Sequence, residues 1–194
     1  MGQHGGSGVK KTVSFSQQDG WKVVVDHSSP YILVLTGLPG SGKSTFRSML
    51  VGDVVHLSTD DHIEAVAQEQ GRFYDDVFED VIKEATTKMN EKLRATLKAG
   101  KNIVLDQTNL GTKKRRGILS QVPSTYYKIA VVVECHEDIR QKRLADRPGK
   151  TIPDHIDRSM VMNKTLPSVE EGFDEIHTVH MGPPHTGRKK ETLI

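Results

Sequence analysis

The chain has 194 residues, 35% of them apolar and 27% charged, with a formal net charge of +2; that is enough for one α/β domain and short for two. No apolar run approaches the roughly 18 residues of a membrane helix, and the opening eight residues lack the apolar core of a secretory signal, so neither a membrane partner nor an export route is expected. The single cysteine, Cys135, excludes an internal disulfide and has no Cys/His metal cluster around it, which fits a reducing, cytoplasmic setting.

Residues 1–27 read as a flexible Gly-, Ser- and Gln-rich lead-in, without order over Met1 to Lys10 and with a short strand candidate at Trp21 to Val25. One folded domain is expected over 28–181. Tyr31-Ile32-Leu33-Val34-Leu35 is a continuous apolar run closed by Gly and Pro, the pattern of a strand buried on both faces. A helix from about Lys43 to Leu50 follows, then a strand at Val54 to Leu57 that ends in Ser58-Thr59-Asp60-Asp61. Val77, Val81, Ala85, Met89, Leu93 and Leu97 recur every four residues and predict a long helix with a core-facing stripe, stopped at Gly100. Asn102 to Leu105 is the third core strand, Thr112 to Leu119 a basic helix, and Ile129 to Val133 the centre of a fourth strand spanning Tyr127 to Glu134. Helices are predicted over Glu137 to Ala145 and Ile156 to Lys164, the second opened by Pro153. A last strand covers Glu175 to Val179, and 182–194 is a polar tail. Strands alternating with helices predict a doubly wound, mostly parallel sheet with helices on both faces and a helical lid.

Gly37-Leu38-Pro39-Gly40-Ser41-Gly42-Lys43-Ser44 matches G-x-x-x-x-G-K-[ST] between a buried strand and a helix, the context a phosphate-binding loop requires. Its backbone N–H groups would converge on phosphate oxygens at the helix N-terminus, with Thr45 continuing the cradle. Lys43 would bridge the β- and γ-phosphates of ATP or GTP, and Ser44 would ligate Mg²⁺. The motif names a donor and leaves the acceptor open.

Phosphoryl transfer also needs a carboxylate to orient the nucleophile and cations to neutralise the moving group. Asp60 and Asp61 follow the second strand, at the carboxyl edge where such sheets bind ligands; Asp60 is the candidate general base and Asp61 fits the helix cap. Asp106 ends another strand, in the place of a Mg²⁺-binding or site-organising carboxylate, and Thr108 and Asn109 add hydrogen-bonding groups at that edge. Arg143 and Arg147 share a helix face before Arg147-Pro148-Gly149-Lys150, a segment suited to close as a lid over the triphosphate; Arg140 reads as helix surface. Lys113-Lys114-Arg115-Arg116 is either a solvated face or a nucleic-acid contact, and Arg188-Lys189-Lys190 a solvated one.

Thr36 to Thr45, the Asp60-Asp61 pair, Asp106-Gln107-Thr108-Asn109-Leu110, Arg143 to Arg147, Ile152-Pro153 with Arg158-Ser159-Met160, and Glu171-Gly172-Phe173 occur in one order across 36–173. In these stretches the chain resembles the phage-type polynucleotide 5′-kinase family. The resemblance implies Asp60 as base, Lys43 with Arg143 and Arg147 as transition-state clamp, Asp106 as acceptor-side organiser, and a DNA or RNA hydroxyl as acceptor, with DNA the favoured of the two. No obligate protein partner is implied, and a phage source would make the compartment the host cytoplasm. The chain departs from the family at Ile63, where an arginine often holds the neighbouring phosphate; Arg72 is the candidate substitute. A kinase of hydroxymethylated pyrimidine bases such as 5-hydroxymethyluracil in DNA, a small-molecule or nucleoside kinase, and a non-enzymatic nucleotide switch are the alternatives.

Overall fold

The computed structural model describes residues 12–16 and 22–182. The expectations for Met1 to Lys10, Trp21, the third basic run and the tail from 183 onward lie outside those residues. In chain order the elements are β1 (Val13–Ser16), β2 (Lys22–Val25), β3 (Tyr31–Thr36), α1 (Lys43–Ser48), β4 (Val54–Leu57), α2 (Thr59–Glu69), α3 (Tyr74–Lys98), β5 (Asn102–Asp106), α4 (Thr112–Leu119), β6 (Tyr127–Glu134), α5 (Glu137–Ala145), α6 (Asp154–Met162) and β7 (Glu175–His180).

Five strands form one parallel sheet in the order β4-β5-β3-β6-β7. From β3 the chain crosses out to β4, returns through β5 and then passes to β6 on the other side, so the strand order reverses around β3. Ligands of open α/β sheets bind at the carboxyl end of such a reversal. β3 is central and buried along its whole length, and its residues alternate between two cores as a strand's side chains must. Ile32 and Val34 join Met89, Leu93 and Leu97 of α3 and Ile118 and Leu119 of α4 on one face. Leu33 and Leu35 join Phe46 of α1, Val131, Val133 and Val179 on the other.

The stripe on α3 serves two cores. Its C-terminal half packs on the sheet, while Val77, Val81 and Ala85 pack on Ile63 and Ala67 of α2. Ile63 is therefore fully buried between two helices. α2 starts at the acidic pair that fits a helix N-terminus, but its residues lack a continuous apolar stripe. It forms because Ser58 caps it, accepting the Asp60 N–H at 3.2 Å, and because α3 covers its one apolar face.

Three expectations need correction. The lead-in is not an appendage from residue 12 on: β1 and β2 pair antiparallel, and Val13 and Val23 are buried in the α1-side core. β2 lies within the strand candidate at Trp21 to Val25, whereas β1 is too short to carry its own periodicity and is fixed by pairing and burial. Arg140 is not helix surface; it is 2% exposed and ion-paired to Asp157 of α6 at 2.6 Å and to Glu137 at 2.7 Å. Arg115, read as part of a basic run, is fully buried on Glu171 at 2.6 Å. Among the described residues no helix is long and apolar enough to cross a membrane.

Candidate active site

The loop from Gly37 to Ser44 joins β3 to α1 at the carboxyl edge of the sheet. Its start is tied to the loop after β5, the Gly37 N–H donating to the Thr108 carbonyl at 3.0 Å. Gly42 has φ +105°, and a Cβ there would lie 2.8 Å from Cβ of Met181, so the turn admits glycine alone at its tightest point. Lys43 curls back over the loop and donates to the carbonyls of Gly37 at 3.0 Å and Leu38 at 2.9 Å. Burial lowers its pKa from the ordinary lysine value to about 8, against the opposing pull of Asp106 and Asp60, while Arg147 and Lys150 add to the lowering.

Ser44 lies in the first turn of α1 and donates to Oδ2 of Asp106 at 3.2 Å. Burial raises the Asp106 carboxyl, and the charges of Lys43 and Arg47 with the Ser44 hydrogen bond pull it back down. Arg47 Nε lies 3.6 Å from the same oxygen, and its Nη1 holds Asp61 at 2.9 Å. Asp61 is thus an ion-pair partner of α1, and Ser58 is the cap. The hydroxyl and carboxylate of Ser44 and Asp106 suit a hard divalent cation, and the buried Ser41 hydroxyl, without a protein partner, suits a phosphate oxygen. No cluster of three His, Cys, Asp or Glu side chains exists among the described residues. A Mg²⁺ held by Ser44 and Asp106 would complete its shell with phosphate and water oxygens, as that ion ordinarily does.

Asp60 sits in the first turn of α2 with its side chain half exposed. Oδ1 accepts the Tyr74 hydroxyl at 3.0 Å, and Oδ2 pairs with Nζ of Lys150 at 2.8 Å. Lys150 also pairs with Glu64 at 2.7 Å and lies 4.2 Å from the Tyr74 ring centroid, a cation–π position. Burial, and then the Asp60 carboxylate, push the Tyr74 pKa upward, which keeps its hydroxyl a donor. The lid segment is docked by its backbone as well: the Asp75 N–H donates to Gly149 O at 2.9 Å, and the Thr151 N–H to Asp75 Oδ2 at 2.7 Å. Gly149, at φ +70°, passes so near the Phe73 ring that an added Cβ would come within 2.4 Å of it.

Lys43, Ser44, Asp60, Asp106 and Arg147 thus occupy one electrostatic neighbourhood. Arg143 grips the loop from α5, donating to Gly40 O at 3.3 Å and Met181 O at 3.2 Å. Three candidates for acceptor contact are placed otherwise. Asn109 is fully buried, donates to Leu35 O at 2.8 Å and bends the chain at φ +45°. Thr108 serves the phosphate loop through its carbonyl, and Arg72 turns its guanidinium to Gln70 and the carbonyl of Asp76. Asn and Asp favour turns for backbone reasons, and that chemistry governs Asn109. The segment delivers Tyr74, not Arg72, to Asp60.

Sequence reasoning missed Tyr74, Glu64, Lys150 and Arg115. The first three meet only when the α2–α3 corner and the lid come together; Lys150 beside Pro148-Gly149 was the one local signal. Arg115 binds the carbonyls of Asn109, Leu110, Thr165 and Leu166 as well as Glu171, and so fastens the loop after β5 to the segment after α6.

The family described as AAA domain, AAA_33, matches residues 32–167, well over half of the chain. Among solved structures, a candidate kinase from Chloroflexus aurantiacus J-10-fl aligns over 78% of this chain and 88% of its own, at 16% identity and a TM-score of 0.54. A chain of the Pnkp1/Rnl/Hen1 RNA repair complex aligns at 24% identity and a TM-score of 0.55, over 77% of this chain and 48% of that one. A chain of the PezAT chromosomal toxin–antitoxin system of Streptococcus pneumoniae gives a TM-score of 0.55 at 15% identity, over 80% of this chain and 69% of that one. Identities this low establish the fold alone. With the phosphate loop between β3 and α1, the parallel sheet and the match over 32–167, this chain belongs to the AAA_33 family, a P-loop family with the fold of kinases.

Proposed function

We propose that this protein is an ATP-dependent kinase that moves the γ-phosphoryl group to a hydroxyl on a nucleic acid, DNA in the first instance. The observation that carries the reading is Asp60, held by Tyr74 and Lys150 at the same sheet edge as Lys43, Ser44 and Asp106. A nucleotide switch needs the loop and the cation site but no carboxylate beside an open face. In the reaction the acceptor oxygen bonds to the γ-phosphorus as the bridge to the β-phosphate breaks. The acceptor proton passes to Asp60, and ADP leaves. Mg²⁺ on Ser44 and Asp106 would neutralise phosphate charge. Lys43 supplies a buried cation at the loop, and Arg147 adds charge from the lid.

The reading is supported by the resemblance in motif order and by the fold shared with a chain of an RNA repair complex. It is tested by incubating the protein with γ-labelled ATP and a 5′-hydroxyl oligonucleotide, duplex DNA containing 5-hydroxymethyluracil, or a nucleoside panel. Transfer to the oligonucleotide is expected, and hydrolysis without transfer to any acceptor would sink the kinase reading. Asp60→Asn should lower transfer about 10²- to 10⁴-fold, the range of general base catalysis, with ATP binding intact.

A further inference from the structure

A groove of about 310 Å³ opens beside the proposed base, walled by α3, α4, the start of α2 and the loop after β5. Thr59, the residue before Asp60, forms one end, and Gln107 reaches across to it at 3.4 Å. Asn90 adds a second amide, while Ile82, Met89 and Ile118 make an apolar floor. Lys114 is the one cation on its walls, and no carboxylate lines it among the described residues.

Several cations near this groove are already held by carboxylates, while Lys43 and Arg147 face the phosphate loop. Lys150 is held by Asp60 and Glu64, Arg47 by Asp61 and Asp106, and Arg115 by Glu171. Among the described residues no carboxylate pairs with the Lys114 ammonium. An anionic acceptor approaching Asp60 and Asp106 meets like charge, which costs affinity unless a cation accompanies it. Ile63, one turn after Asp60 on α2, is uncharged and buried against α3 and cannot supply that cation. The groove walls desolvate Lys114 and pull its ammonium below the ordinary lysine value, while Asp60 pulls it upward. The same field therefore reaches both residues.

We infer that this groove is the acceptor site, and that Lys114 holds a phosphate already carried by the acceptor while Asn90 and Gln107 bind its polar edges. The substrate class is a phosphorylated alcohol small enough to enter as a single unit. A strand end carrying one nucleotide fits; an intact duplex does not, because the walls admit a volume at the lower limit of ordinary ligand pockets. The inference rests on the kinase reading for Asp60, but binding at Lys114 stands or falls separately.

Calorimetry on the full chain with ADP and Mg²⁺, using thymidine 3′-monophosphate, ribose 5-phosphate and unphosphorylated thymidine as probes, separates the two. One of the phosphorylated probes is expected to bind at least about tenfold tighter than thymidine, as one charge-assisted contact would give, and which one identifies a strand end or a sugar phosphate as the source. Lys114→Ala should erase that preference, Lys114→Arg should keep most of it, and Lys113→Ala on the adjacent exposed position should leave it unchanged. Equal loss from Lys113→Ala, or no loss from Lys114→Ala, overturns the assignment even if the protein transfers phosphate to some alcohol. Lys114-dependent binding without transfer from ATP upholds the groove and removes the kinase reading. Unchanged ATP affinity and melting temperature in each variant show that the donor side and the fold are intact.

Discussion

The two halves of the candidate site are built from different materials. The donor half is mainly backbone: a loop between β3 and α1, pinned by the Thr108 carbonyl and closed in by Met181, to which Lys43, Ser44 and Asp106 add side chains. The acceptor half is side chain: Asp60, Tyr74, Lys150 and Lys114 come from four segments separated by up to ninety residues and meet at a partly open edge. A backbone cradle tolerates almost no change at its tight turns yet recognises any triphosphate. A side-chain edge tolerates substitution, and each substitution alters what it accepts. Chains that share this fold would accordingly keep the first half and vary the second.

Breaking either half should give different signatures. The largest effect on nucleotide binding is expected at Gly42→Val, where a left-handed backbone and the Met181 side chain both oppose a branched residue. Strain of about 3 kcal/mol would weaken nucleotide binding about a hundredfold, read by calorimetry with ADP. Lys43→Ala should remove about 10²- to 10³-fold of transfer, the value of one preorganised donor, and should also weaken nucleotide binding. Asp60→Asn, by contrast, should spare binding; a matching loss of ATP affinity in both variants would erase the distinction between the halves.

The largest effect on stability is expected at Arg115→Ala, which strands Glu171 as an unpaired buried charge. A loss of about 3–5 kcal/mol in urea unfolding is expected, enough to threaten folding of a small domain. Arg115→Ala with Glu171→Ala should recover part of it. If the single variant costs nothing, Arg115 does not fasten the acceptor edge.

A smaller effect is expected from Lys150→Met, which keeps most of the packing on Tyr74 but frees Asp60 and Glu64. The lid segment should exchange its amides faster near Gly149 and Thr151, and transfer should change by less than about tenfold, as for a partly exposed ion pair. The smallest signal is a proton. Lys43 has its folded pKa lowered to about 8, so its charged form is penalised below that pH, and the penalty is relieved as pH rises toward the unfolded value. Phosphate oxygens favour the charged form. Nucleotide binding near pH 8 to 9 should therefore take up a fraction of a proton, measurable in buffers of different ionisation enthalpy, and affinity should fall as pH rises through that window. Absence of uptake in the wild type, or its persistence in Lys43→Met, would contradict the assignment.

What could be read from the sequence follows the same division. The phosphate loop is a contiguous motif flanked by a strand and a helix, and its local chemistry needs no tertiary information. The strands β3 to β7 and the helices α3, α4 and α5 were legible for a similar reason: apolar runs and a four-residue stripe repeat within each segment. The placement of Asp106 against Ser44 followed from its position at a strand end. Tyr74 was not legible, because nothing local distinguishes a tyrosine that meets Asp60 from one in any helix N-terminus; Lys150 and Lys114 were visible only as members of a lid segment and a basic run. Arg115 and Arg140 were misread for the converse reason. Arginine is usually exposed, and only the carboxylates of Glu171 and Asp157, 56 and 17 residues away, make burial tolerable. Asn109 was assigned to substrate on residue type, and its left-handed φ claimed it for the backbone.

The paired clamps at Arg140 and Arg115 also bear on how this architecture can change over time. Arg140 binds α5 to α6 through Asp157, and Arg115 independently anchors the chain where it leaves α6, through the carbonyls of Thr165 and Leu166. The stretch between these anchors has its entry and exit fixed by contacts that do not involve its tip. Insertions between Arg147 and Pro153 would lengthen the tip while the sheet and the phosphate loop keep their places. Grafting such tips from related chains onto this frame offers a route to new acceptors with the donor chemistry retained.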